Sequence, residues 1–233
     1  MREELAPAEI TSALEQCLDI SDKNFLLGFL YAKYKEHLPE DSIWRKRWAW
    51  QHLWNSDHLD EYKKIKDLCR QEQLSCFALK GAAWIEELYP DIGSRYMSDI
   101  DLYIPQDSYK QFDALVCERL GFVADETKRW QASNFKMDYI KTTASGIRLQ
   151  LDVHKKLYYK DNTDLDWSFS GKRTKESITD HLFFLVVHAS YMHTFTRLYW
   201  LLDVHLFIQK FSQDIDWQWL ESRMKANQLE KPV

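Results

Sequence analysis

From Ser42 to Gln73 the chain reads SIWRKRWAWQHLWNSDHLDEYKKIKDLCRQEQ, with no glycine or proline to interrupt it. A run of that length with apolar residues three and four apart predicts one long helix. Trp44, Trp48, Leu53, Trp54 and Leu59 are read as its core-facing stripe. So long a helix limits the architecture, because the segments on either side must pack along it. Upstream, AEITSALEQCLDI and DKNFLLGFLYAKYKEHL carry the same helical spacing.

At residue 74 the period changes. LSCFALKG is a short apolar run ending in Gly81, the pattern of a strand entering a turn, and AAWIEELYP is a two-turn helix stopped by Pro90. RYMSDIDLYI then alternates with a period of two, Ile100, Leu102 and Ile104 to one side and Asp99, Asp101 and Tyr103 to the other. DSYKQFDALVCERL is an amphipathic helix that Gly121 ends. NFKMDYIKTT and IRLQLDVHKKL, joined by a turn at Ser145-Gly146, read as a β-hairpin. From about residue 177 the pattern is helical again. The order gives an α+β chain with a helical region over 1–72, a mixed core over 73–160 and a second helical region over 161–233.

Composition limits the class. The 233 residues are 45% hydrophobic and 15% aromatic, enough for a real core, and the net charge of -5 gives no global basic field for nucleic acid, although a local patch remains open. Four scattered cysteines without metal spacing suit free thiols in a reducing compartment. The start lacks the pattern of a signal peptide, and the longest apolar runs, such as FLLGFLYA, are under half a membrane span. A cytoplasmic location is the expectation, with no membrane partner. The glycines are too far apart for a P-loop or a dinucleotide fingerprint.

The chemistry concentrates around Asp99 and Asp101. Two carboxylates at i and i+2 on a strand share a face and repel unless a cation lies between them. Mg²⁺ takes such oxygen ligands, usually together with substrate phosphates. The plainer reading is a strand with one wet face. Two further features favour the metal. FALKG ends a strand at Gly81 and opens a helix, whose N-terminus attracts phosphate, and Lys80 adds a cation at the same place. Asp152, in a second alternating strand, supplies a third carboxylate, and His154 beside it either orients a carboxylate or sits in the sheet. His188 and His193, five apart, fall about 140° apart on an α-helix; structural roles suit them better than a shared metal, with His188 and Asp203 as candidate lining of a nucleotide cleft. SGKRTK (170–175) is most simply a solvated loop.

The strings LKG, LYP, R-x-M-x-D-I-D-L and LDVH, with the later LVVHASYMHTFTRLYWLLD, resemble the uncharacterised nucleotidyltransferase family of the DNA-polymerase-β-like nucleotidyltransferase superfamily. The resemblance covers roughly residues 20 to 233. It implies a small mixed sheet with flanking helices and transfer of a nucleoside monophosphate from an NTP, ATP as the expected donor, to a hydroxyl of an unidentified small-molecule, peptide or macromolecular acceptor. It implies two Mg²⁺ held by Asp99, Asp101 and Asp152, the last also as general base. It implies nucleotide contacts from Lys80, Gly81, Ala82, Arg95, His154 and His188, with Arg95 neutralising phosphoryl charge. Ala82 stands where the superfamily usually has serine. The alternatives are a toxin-like relative acting on RNA or protein, and a catalytically inactive nucleotide-binding or interaction module.

Overall fold

The computed structural model describes residues 6–125, 136–157 and 173–229. Helices α1 (Pro7–Lys23) and α2 (Leu27–Tyr34) lead to the long α3 (Ile43–Gln71), whose start is capped by the Ser42 hydroxyl accepting from the Arg45 N–H. The buried side of α3 runs through Trp44, Gln51, Asn55, Leu59, Ile65 and Leu68. Leu53 corrects the predicted stripe: it is 68% exposed. Nine residues at 100° each put it on the face opposite Trp44. Trp48 and Trp54 are half-buried and use their indole N–H groups, Trp48 donating to Asp91 at 2.8 Å and Trp54 to the Met97 carbonyl at 2.7 Å. They thereby tie α3 to the loop that leads into Asp99.

The sheet among the described residues has the order β1-β2-β5-β4-β3, formed by β1 (Phe77–Ala78), β2 (Ile100–Tyr103), β3 (Val123–Ala124), β4 (Lys136–Thr142) and β5 (Arg148–His154). β2 and β5 run parallel and the other pairs antiparallel. The β2–β5 register sets Ile100 beside Leu151 and Leu102 beside Val153 on one face, and Asp101 beside Asp152 on the other. The apolar face closes over Leu59 and Ile65 of α3 and over Phe112 and Val116 of α5 (Tyr109–Leu120). Gly121 ends α5 in the left-handed conformation at φ 72°, which glycine adopts without penalty.

The polar face looks toward the C-terminal helices α6 (Lys175–Val187), α7 (Leu198–Phe211) and α8 (Trp217–Ala226). α4 (Lys80–Leu88) starts at Lys80, earlier than a strand ending at Gly81 predicts, so both residues belong to its first turn. The helical pattern read after residue 177 is divided: α6 passes into a π-helical turn, His188–Met192, and α7 begins only at Leu198. No helix among the described residues is long and apolar enough to cross a membrane.

Candidate active site

Alternation on β2 and the parallel register with β5 bring Asp99, Asp101 and Asp152 together, with one oxygen from each lying within 4.8 Å of the others. Asp101 and Asp152 are buried; Asp99, one residue before β2, is half-buried. Like charges this close are unfavourable, and the local cations show how the cluster is held. Lys80 Nζ lies 2.6 Å from Asp101 Oδ1, and His154 Nε2 lies 3.0 Å from the same oxygen. Of the two roles left open for His154, orientation of a carboxylate is the one its ring contact serves, with Asp101 as the carboxylate. Lys136 on β4 reaches Asp152 at 2.6 Å, and the Gln150 amide donates to the other Asp152 oxygen at 2.8 Å.

These contacts divide the three carboxyls. Burial and the neighbouring Asp101 raise Asp99 to about 7, against the opposing pull of Lys80. Burial would raise Asp101 too, but Lys80 and His154 bring it below its ordinary value. Asp152 is likewise pushed up by burial and more than recovered by Lys136 and Gln150, so it is held ionised and is a weak base. Lys80, although largely desolvated, stays charged among the carboxylates.

Lys80 is the first residue of α4 and has φ 46°, a left-handed conformation uncommon for a residue with a Cβ. That backbone turn lets one residue open the helix and send its ammonium to Asp101. The N–H groups of Gly81 and Ala82 fall in the first turn, where a helix has no carbonyl of its own to bond them. The Ala82 side chain packs into the core beside Ile85 and Met97, so only its backbone is available to a ligand. Gly81 is required by a close approach: a Cβ there would lie 2.4 Å from Arg95 Nη1.

Arg95 does not point freely into the site. It is buried and forms a two-point pair with Asp203 of α7, at 2.8 Å and 2.7 Å, and its Nη1 donates to the Tyr96 carbonyl at 3.1 Å. This departs from the expectation that it neutralises a transferring phosphoryl group. Arg95 nevertheless borders the same cleft, of about 130 Å³, as Lys80, Gly81, Asp99, Asp101 and His188.

His188 and His193 come together, contrary to the 140° separation. Their ring centroids are 4.4 Å apart, because the segment between them is a π-turn in which residues five apart are neighbours. Burial holds the His188 imidazole neutral; that of the more exposed His193 is lowered by partial desolvation and by Lys80, which opposes protonation of both. Asp138 escaped the sequence reading altogether. It is buried on β4, directly opposite Asp152, and shares Lys136 with it at 2.9 Å. The signal was present: counting back from the Ser145-Gly146 turn pairs residue 138 with residue 152. The residues before 173 in SGKRTK lie outside the described residues.

A mixed sheet that clusters three carboxylates beside a helix N-terminus and a lysine suits phosphoryl and nucleotidyl transfer. The chain belongs to the uncharacterised nucleotidyltransferase family, whose profile matches residues 14–233. That is the family its motifs resemble. One solved structure, the crystal structure of ANT(2")-Ia in complex with adenylyl-2"-tobramycin, is similar at 14% identity and a TM-score of 0.48, over 73% of this chain and 96% of that one. No curated protein matches the sequence significantly.

Proposed function

We propose that this chain is a Mg²⁺-dependent nucleotidyltransferase that moves a nucleoside monophosphate from an NTP, with ATP the expected donor, to an acceptor hydroxyl and releases pyrophosphate. The observation carrying this reading is the placement of three carboxylate oxygens within 4.8 Å of one another at the Lys80 end of α4. Hard oxygen donors of this number suit Mg²⁺, and a divalent charge offsets both the burial and the carboxylate repulsion that raise Asp99. Asp99, Asp101 and Asp152 would hold two Mg²⁺, which when bound neutralise triphosphate charge and polarise the phosphoryl oxygens.

The chain's own groups have separable tasks. The Lys80 ammonium and the N–H groups of Gly81 and Ala82 receive the β- and γ-phosphates, so that pyrophosphate departs toward α4. His154 fixes the Asp101 carboxylate, and Lys136 with Gln150 fixes that of Asp152. Asp152, ionised but weakly basic, would accept the proton of an attacking hydroxyl acidified by the bound cation. Arg95 is a positioning residue: through Asp203 it fastens the segment leading into Asp99 to α7.

Calorimetric titration of the protein with each of the four NTPs in Mg²⁺, beside the D99A/D101A variant, tests this. At least one NTP should bind the wild type only when Mg²⁺ is present, and the variant should lose it. A wild-type protein that binds no NTP under any of these conditions sinks the reading.

A further inference from the structure

The cleft that holds Lys80, Asp99 and Asp101 has a second set of walls that the transfer chemistry does not use. Tyr96, His193, Tyr199 and Trp200 also border it. His193 stacks on Trp200 with ring centroids 4.4 Å apart and planes at 29°, and His188 meets Trp200 edge-on at 5.5 Å. This arrangement is built at a backbone cost. The π-turn interrupts α6, and the chain leaves it through Thr194 and Phe195 at φ 47° and 55°, two consecutive left-handed residues that are not glycine. Such conformations cost free energy and gather at functional sites, as π-turns do. A plain α-helix would not hold His193 against His188 and Trp200.

The chemistry of these walls narrows the ligand. They offer flat ring surface, two neutral imidazoles and the hydroxyls of Tyr96 and Tyr199. Arg95, which lies over the Tyr199 ring at 5.3 Å, is taken by Asp203, so it offers this wall no free charge for a ligand. The Tyr96 ring is itself sandwiched between Phe25 at 4.7 Å and Trp50 at 5.9 Å, which fixes its position. The cleft, of about 130 Å³, has room for a flat heterocycle against these rings.

We propose that the His193–Trp200 stack is the nucleobase platform of this protein, so that a nucleotide spans the cleft with its phosphates at Lys80 and its base against these rings. The inference rests on the nucleotidyltransferase reading and deepens it.

The test uses calorimetry on the full chain in Mg²⁺, with inorganic tripolyphosphate and with non-hydrolysable α,β-methylene analogues of the four NTPs. Tripolyphosphate reports the phosphate groups alone; the gain in affinity from tripolyphosphate to an NTP analogue reports the nucleoside, and its loss in the ring variants reports the base. The variants are H193A, which truncates an exposed side chain, W200L, and W200F, which keeps a ring; melting temperatures verify that each is folded. The expected result is tighter binding of at least one NTP analogue than of tripolyphosphate by wild type. H193A and W200L should lose about 5- to 100-fold of that gain, the size of one aromatic–base stack, while W200F retains most of it and tripolyphosphate binding is unmoved. Folded H193A and W200L variants with wild-type NTP affinity would overturn the platform and point to an acceptor on these rings. A wild type that binds tripolyphosphate as tightly as every NTP overturns it too, while leaving the phosphate site standing. A wild type that binds neither probe removes the nucleotidyltransferase reading itself, and the platform with it.

Discussion

Arg95 and Asp203, 108 positions apart in the chain, close on one another as a buried two-point pair, Nε to Oδ1 at 2.8 Å and Nη2 to Oδ2 at 2.7 Å. The Tyr89 hydroxyl donates to the same Oδ1 at 2.5 Å. Three donors thus satisfy one carboxylate that burial removes from water, and burial with the nearby Asp203 charge raises the Tyr89 hydroxyl well above its ordinary value. The pair joins the end of α4, the entry to Asp99 and the middle of α7.

Breaking such a pair from one side leaves a buried, uncompensated charge, which costs about 3–5 kcal/mol. D203A is therefore expected to lower the free energy of unfolding in urea by that amount. Replacing both members with apolar residues of similar bulk, R95M/D203L, should recover a large part of it, because neither charge is then stranded. A D203A variant within about 0.5 kcal/mol of wild type would show that the pair is solvated rather than buried.

The same rigidity makes Gly81 a sensitive position. A methyl group there meets Arg95 Nη1 at 2.4 Å and Met97 Sδ at 3.0 Å. A long side chain ordinarily swings aside, but this one is pinned at both ends of its guanidinium. G81A is expected to cost about 1–3 kcal/mol, the range for overpacking a filled site. In an R95A background the added cost should shrink, a coupling that a double-mutant cycle in urea measures directly. Additive effects would mean that the clash is relieved by backbone movement of α4 and not resisted by Arg95.

These two positions show how far the sequence could be read. The D-I-D alternation and the Asp152 strand were legible because a two-residue period is a local property, and a strand displays it whatever it pairs with. Gly81 was legible as a special position but for a different reason, since only the fold reveals that an arginine passes over it. Arg95 looked like a free cation because the sequence cannot show Asp203 arriving from α7. His188 and His193 were separated by assuming 3.6 residues per turn, and the π-turn defeats that arithmetic. Leu53 failed in the opposite sense: the 3.6 period itself puts it outside, and aromatic crowding along α3 hid that.

The raised carboxyl of Asp99 predicts a stability that depends on pH in a direction unusual for an acid. Its folded value of about 7 exceeds the ordinary 3.8, so the folded state binds the proton more tightly than the unfolded chain does. In EDTA this group's contribution therefore falls as pH rises from about 3.8 through about 7, and is flat above that. D99N abolishes the dependence: its melting temperature should exceed that of wild type at pH 8, by a margin that narrows toward pH 4. Added Mg²⁺ should raise the wild-type melting temperature more at pH 8 than at pH 6, since the proton competes for the ligand, and should do little for D99N. Equal responses of the two proteins to Mg²⁺ would remove Asp99 from the metal ligands.

His181 predicts the reverse trend on the acid side. It meets the Trp84 ring edge-to-face at 4.8 Å, and burial, aided by Arg173, lowers it to about 3 from 6.5. Above pH 6.5 the imidazole is neutral in both folded and unfolded chains, and its contribution is fully present. Below 6.5 the unfolded chain takes up the proton first, so stability is lost progressively until about pH 3, at no more than about 1.4 kcal/mol per pH unit for this one group. H181F keeps a ring against Trp84 and cannot titrate. Urea midpoints at pH 7.5, 5.5 and 4.5 should fall less steeply for H181F than for wild type, with His188 still contributing a slope of the same sign in both. Parallel curves for the two proteins would mean that His181 is protonated in the fold, with a solvent path to its ring.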